Sequence, residues 1–175
     1  MRDILEQVRA WTAQGTRFAV GTVVRTWKSA PRPAGAAMAV AETGEVVGSV
    51  SGGCVEGAVY ELAQQVLTSG EPVLQRYGIS DDDAFAVGLT CGGILDVFVQ
   101  PVDAQRYPEL EAVAAAIEAR QPVAVATIIS GPGAIGGRMI VWPDRTEGSL
   151  GSERLDAAVA DDARGMLEHG TTGTL

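Results

Sequence analysis

At 175 residues with a net charge of -9, the chain is long enough to bury a core without staples and too acidic for a surface built to grip nucleic-acid phosphates. Two cysteines and one histidine are too few for a four-ligand Cys/His zinc site, and no apolar run approaches the ~20 residues that a bilayer crossing needs. With 46% apolar and 20% charged residues and a start at Met1–Ile4 that lacks a signal-peptide core, a globular, cytoplasmic protein without membrane or nucleic-acid partners is expected.

The first predicted element is a helix with Ile4, Leu5, Val8 and Trp11 on one face, capped by Asp3 and stopped by Gly15. A strand from Phe18 to Arg25 follows; its small and β-branched residues suit burial on both faces. The loop from Thr26 to Gly35 is too rich in proline to continue the sheet. It holds Lys28, the chain's lysine, and Arg32, and with Arg25 makes a local cationic spot. Met38–Val40 and Val46–Gly48 read as a hairpin turning through Glu42–Glu45. After Gly52-Gly53-Cys54 the spacing of Val55, Val59, Leu62, Ala63 and Val66 predicts a helix from Val55 to about Thr68, ended by Gly70.

A strand over Val73–Tyr77 is next. The acidic run Asp81-Asp82-Asp83 leads to Thr90-Cys91-Gly92-Gly93, then to an alternating strand, Ile94–Val99, closed by Pro101. A further helix spans about Pro108 to Arg120. The pattern then starts again: Ala124–Ile129 echoes Ala19–Val24, and Met139–Val141 echoes Met38–Val40. From Gly48 the match is ungapped at an offset of 100, with Gly48, Ser49, Val50, Val55 and Glu56 answered by Gly148, Ser149, Leu150, Leu155 and Asp156. The expected fold class is therefore α/β, a mixed sheet with packed helices. It would form one domain over 1–175 built from two related strand-hairpin-helix repeats, about 17–70 and 122–170, around an insert at 71–121.

The repeats differ where chemistry is expected. Ser51-Gly52-Gly53-Cys54 in the first is replaced by Gly151-Ser152-Glu153-Arg154 in the second, and the cationic loop is answered by an uncharged, glycine-rich one. Ser49–Cys54 runs from a strand into a helix start, where backbone N–H groups and the dipole favour an anion, a phosphate being the obvious candidate. It matches neither a Walker loop nor a dinucleotide fingerprint, and close packing explains such a Gly-Gly turn equally well. The dipole favours thiolate at Cys54, whereas Glu56 and Glu61 oppose it. Cys54 and Cys91, each beside a Gly-Gly pair, face one pocket or are simply small residues at tight strand ends. A Cys–His nucleophile is disfavoured because His169 belongs to the repeat without the motif.

Ser29-Ala30-Pro31-Arg32-Pro33-Ala34-Gly35-Ala36-Ala37-Met38, then Gly48-Ser49-Val50-Ser51-Gly52-Gly53-Cys54-Val55-Glu56, then Leu89-Thr90-Cys91-Gly92-Gly93, in that order, resemble the N-terminal domain of the XdhC/CoxI proteins. The resemblance spans the chain, less clearly after about residue 120. It implies a non-catalytic maturation factor that binds molybdenum cofactor (molybdopterin) transiently and passes it to an apo-molybdoenzyme of the xanthine dehydrogenase or carbon monoxide dehydrogenase type. The implied cradle is Lys28, Arg32, Ser49, Ser51, Gly52, Gly53, Cys54, Glu56, Cys91, Gly92 and Gly93, with no bound metal of its own. The implied partners are a cysteine desulfurase and a separate Rossmann-domain protein, since longer members continue into a Rossmann-like domain without a counterpart in these 175 residues. Ala37 departs from the basic residue of some relatives. Two alternatives remain open: a sulfur-transfer enzyme using Cys54, and a non-catalytic half of a split accessory protein. Because the second repeat stops at Leu175 before strands equivalent to those after Gly70, an uncovered sheet edge and a homodimer or a partner complex are expected.

Overall fold

The computed structural model of the protein describes residues 2–78 and 93–175. Within them the chain forms two compact units, one over residues 2–107 with Thr174 and one over residues 108–173 with Leu175.

The first unit is a five-stranded sheet between helices. A 3-10 turn (Arg2–Ile4) leads into α1 (Leu5–Gln14), followed by β1 (Phe18–Trp27), β2 (Ala37–Ala41), β3 (Val46–Gly48), α2 (Glu56–Ser69), β4 (Val73–Gly78) and β5 (Ile94–Val102). The order across the sheet is β3-β2-β1-β5-β4. Since β3 and β4 are the two edges, α2 crosses the whole sheet to join them. Gly21 faces this crossing, and a Cβ there would lie 3.1 Å from Val59 and 3.3 Å from Val97, so the absent side chain is what lets α2 lie close. Val59, Ala63, Val66 and Leu67 bury themselves there with Ala19, Val23, Leu95, Val97 and Val99. Each of the large side chains contributes roughly 1.5–3 kcal/mol by leaving water. On β1, Phe18 points to the opposite face, where the Trp11 ring of α1 lies 5.5 Å away. The doubly covered strand expected at β1 is thus observed.

The second unit holds α3 (Leu110–Glu118), β6 (Ala124–Thr127), β7 (Arg138–Val141), β8 (Thr146–Gly148) and α4 (Glu153–His169). Its sheet has the order β6-β7-β8, and Ala160 and Ala163 of α4 are buried with Met139, Val141 and Leu150.

The α/β class is as expected, but the strands do not form one mixed sheet. Every pairing among the described residues is antiparallel, in two sheets. The physical reason is local: β2–β3 and β7–β8 are joined by tight hairpins, and a hairpin fixes the antiparallel sense. Four boundaries also differ from expectation: β1 runs two residues past Arg25, because Thr26 and Trp27 pair with Leu95 and Ile94 and the loop starts only after them. The cap of α1 is Ile4, with no side-chain hydrogen bond; Asp3 instead pairs with Arg32 at 2.8 Å. α3 is shorter than the expected span, running Leu110–Glu118. β5 runs through Pro101, which pairs with Ala19 of β1. β4 pairing has stopped by then, at Val73 opposite Val99, so the proline sits where β5 has one neighbour and its missing N–H is tolerated.

Candidate functional site: a carboxylate-locked glycine turn

Between β3 and α2 the chain makes an open loop centred on one side chain. Glu56 Oε1 accepts from the Ser49 hydroxyl (2.6 Å) and from the backbone N–H groups of Val50 (3.2 Å) and Ser51 (2.9 Å). Its Oε2 accepts from the Ser51 hydroxyl (2.5 Å) and the Gly53 N–H (2.7 Å). The two hydroxyls accept in turn: Ser49 Oγ from Gly52 N–H (2.9 Å), and Ser51 Oγ from Val55 N–H (3.0 Å). Burial opposes the Glu56 charge, yet hydrogen bonds from Ser49 and Ser51 and from the backbone outweigh it and hold the carboxyl at a pKa of about 2.

This changes the reading of the helix start. The N–H groups of Val50, Ser51 and Gly53, which the sequence offers to a phosphate, are engaged by a carboxylate of the same chain. Glu56 is the anion of this turn, and Ser49, Ser51 and Glu56 form its frame. What the frame displays is Gly52-Gly53. Both are exposed, with φ of +75° and +118°, and nothing lies within 4 Å of a Cβ built on either. Their backbone is open to close approach, in a conformation that L side chains rarely adopt. Next to them, Cys54 is half-buried and packed against the core cluster. Gly48 anchors the preceding corner, with φ +82° and with a Cβ position only 2.3 Å from the Ala37 carbonyl oxygen.

The other predicted site residues are distributed. Lys28 is exposed and has φ +58°. The Arg32 guanidinium is turned to Asp3, 2.8 Å away, and so is already ion-paired. Gly93 meets the start of the cationic loop: a Cβ there would lie 2.9 Å from the Ser29 carbonyl oxygen and 3.1 Å from Ala30. Cys91 and Gly92 lie outside the described residues, and with them the expected shared pocket of the two cysteines. Among the described residues no group of three or more His, Cys, Asp or Glu side chains is arranged to hold a metal ion, and no helix is long and apolar enough to cross a membrane.

Sequence reasoning missed a second constellation. Asp96 of β5 is 3% exposed and lies opposite both Arg25 of β1 and Arg76 of β4. Arg76 grips it with two hydrogen bonds of 2.8 and 3.1 Å, while Arg25 Nη1 stands 3.8 Å from it. The fork of bonds to Asp96 raises the pKa of Arg76. The only available signal was the alternation of Ile94–Val99, which puts an acid in mid-strand; its partners depend on register.

Comparison with known proteins converges on one family. The chain is 37% identical over 102 residues to the molybdenum cofactor insertion chaperone PaoD of Escherichia coli, covering 58% of this chain and 31% of that protein. It is 32% identical over 98 residues to a probable xanthine dehydrogenase subunit from Bacillus subtilis, covering 54% and 29%. The chain thus spans under a third of the length of these relatives. Among solved structures, a xanthine dehydrogenase from Bacillus halodurans matches with a TM-score of 0.68 and 26% identity, over 85% of this chain and 45% of that one. The XdhC and CoxI family model matches residues 11–78 and 116–175, which include the Ser49–Glu56 turn, and the protein belongs to the XdhC and CoxI family.

Proposed function

We propose that this protein binds molybdenum cofactor as cargo and passes it to an apo-molybdoenzyme of the xanthine dehydrogenase or carbon monoxide dehydrogenase type, in the cytoplasm. The observation that carries the reading is the displayed glycine pair. Gly52 and Gly53 leave open space above the backbone, Cys54 adjoins them, and Glu56 fixes the turn from below through five hydrogen bonds. A rigid, side-chain-free surface beside a thiol suits transient contact with a bulky ligand that carries its own sulfur and phosphate groups. In this reading Gly52, Gly53 and Cys54 face the cargo, while Ser49, Ser51 and Glu56 hold the turn in place. Family membership and the likeness to PaoD support a role in molybdoenzyme maturation.

The test is retention. The purified protein is incubated with released molybdenum cofactor, passed over a gel-filtration column and analysed for molybdenum. Co-elution supports the reading, and molybdenum confined to the small-molecule fractions refutes it. Sulfur transfer through Cys54 is the second reading, favoured by a half-buried cysteine at the start of α2; turnover lost in Cys54→Ala would establish it.

Association is part of the proposal. Among the described residues β1 has a neighbour on each side, β2 and β5, whereas β6 pairs with β7 alone, and Val125 of β6 is exposed. An unpaired, uncharged strand edge invites another chain. A homodimer, or a complex with a Rossmann-domain protein, accords with that edge, and a cysteine desulfurase accords with a cargo that carries sulfur. Light scattering at micromolar concentration, with and without the Rossmann-domain protein, reads the first two.

A further inference from the structure

Trp27 ends β1 with its indole 40% exposed, whereas Trp11 and Trp142 are 2% and 3% exposed. A tryptophan offers a large flat apolar body with a polar N–H, which is why it is enriched at binding surfaces. The surroundings of Trp27 say what kind of partner. It pairs with Ile94, which pairs on its other side with Gly78. Two residues along the strands stand Arg25, Asp96 and Arg76, and the Arg76 guanidinium lies over the Trp27 ring, 4.7 Å from its centroid.

Among the described residues the charges of the row Arg25–Asp96–Arg76 do not cancel. Asp96 is one carboxylate between two guanidinium groups, and it spends both oxygens on Arg76. Arg25 stands off at 3.8 Å, its Nε donating to the neutral Thr174 hydroxyl at 3.3 Å. Lys28 follows Trp27 directly, exposed and with φ +58°. Among the described residues, two cations and one carboxylate leave one positive charge in the row beside an exposed tryptophan, with Lys28 next in sequence, on a chain whose net charge is -9. Holding like charges together on a sheet surface costs stability, and an anion placed among them repays it.

We propose that Trp27, Arg25 and Lys28, with Arg76 held in place by buried Asp96, form a binding site for a planar heterocycle that carries an anionic group. The ring lies against the indole, and the anion meets Arg25 and Lys28. The inference rests on the cargo reading above, because a phosphorylated pterin is such a ligand. It adds a seat for the anionic group that the Gly52-Gly53 turn lacks, since Glu56 already occupies the amides there.

Trp27 is the exposed tryptophan of the three, so fluorescence quenching by added solutes reports on it. The probes are pterin-6-carboxylate and inorganic pyrophosphate. Expected are saturable quenching by pterin-6-carboxylate, its loss in Trp27→Phe, and at least tenfold weaker binding in the double variant Arg25→Gln/Lys28→Gln, which leaves the Arg76–Asp96 fork intact. Pyrophosphate should compete. Arg145→Gln is the control, because Arg145 lies over the buried Trp142 ring at 4.1 Å and its loss should leave pterin binding unchanged. Non-saturable quenching, or equal affinity in the double variant, overturns the proposal. Gel filtration with molybdenum cofactor separates this inference from the reading beneath it. Wild-type retention matched by Trp27→Phe and by Arg25→Gln/Lys28→Gln sinks the pterin seat and leaves delivery standing; saturable pterin binding at Trp27 without molybdenum retention does the reverse.

Discussion

The turns Ser49–Glu56 and Ser149–Asp156 begin alike and end differently. Each follows a glycine of positive φ, Gly48 at +82° and Gly148 at +81°. In each, a serine hydroxyl donates to a carboxylate seven residues on, at 2.6 and 2.7 Å, and the next N–H donates to the same carboxylate at 3.2 and 2.7 Å. They part at the third residue. In the second turn, Ser152 caps the helix by accepting from Leu155 N–H at 3.3 Å, and α4 starts at Glu153. In the first, Ser51 turns inward, Gly52 and Gly53 hold left-handed backbone, and α2 starts only at Glu56, without a side-chain cap. The three residues that match the start of α4 stay outside the helix in the first turn, and of these Gly53 is exposed while Val55 is buried. Glutamate is one methylene longer than aspartate, so its carboxylate reaches across the wider loop and gathers Ser51 and Gly53 as well. An ordinary helix start and an exposed loop thus grow from the same serine–carboxylate corner, and the open one depends on Glu56.

The largest expected effect follows directly. Glu56→Ala strands two hydroxyls and three backbone N–H groups, and should cost about 3 kcal/mol on the scale of hydrogen bonds to charged acceptors in a partly solvated site. Asp156→Ala removes two such bonds and should cost about 1 kcal/mol. Urea denaturation of both variants measures the gap, and equal losses would erase the distinction between the turns. Next is backbone strain. Gly53→Ala and Gly151→Ala, at φ of +118° and +106° with open space around both, should each cost about 1–2 kcal/mol. Only the first should also impair molybdenum retention. Ser152→Ala removes a cap and should cost about 1 kcal/mol, readable in the same titrations; a negligible loss would mean that α4 starts early for another reason.

The smallest effect is pH-dependent. The Glu56 carboxyl is depressed to about 2 from an ordinary value of 4.5. Its contribution is therefore fully present above about pH 4.5 and lost as pH falls towards 2. A protonated carboxyl still accepts some of the bonds, so the loss is less than that of Glu56→Ala. Urea midpoints at pH 6 and pH 3 should differ more in wild type than in Glu56→Gln; the same difference in both would assign the acid sensitivity elsewhere.

Much of this is legible in the sequence, and the remainder is hidden for identifiable reasons. Helical spacing locates α2 to within a residue, and Gly70 ends it at φ +76° as a left-handed cap. The hairpin through Glu42–Glu45 follows from composition. Glu56 reads in the sequence as a charge opposing a Cys54 thiolate, although its match to Asp156 is visible at the offset of 100. That a side chain folds back onto its own turn is a matter of loop shape, which residue types alone do not convey. The Arg25–Asp96–Arg76 row is hidden because cross-strand partners depend on register, and a bulge between Val23 and Arg25 shifts that register within β1. Arg32 reads as a cargo ligand because its partner, Asp3, lies 29 residues away.

The central claim is that the displayed loop, and not the common turn beneath it, is what meets the cargo. The most direct test gives the first turn the second one's residues at two of the divergent positions, through the paired substitutions Gly52→Ser and Gly53→Glu, with Ser51, Cys54 and Glu56 kept. Molybdenum bound after gel filtration with released cofactor is then measured alongside the urea midpoint. The account predicts a folded variant that retains at most a tenth of the wild-type molybdenum, whereas a folded variant that retains as much as the wild type would contradict it.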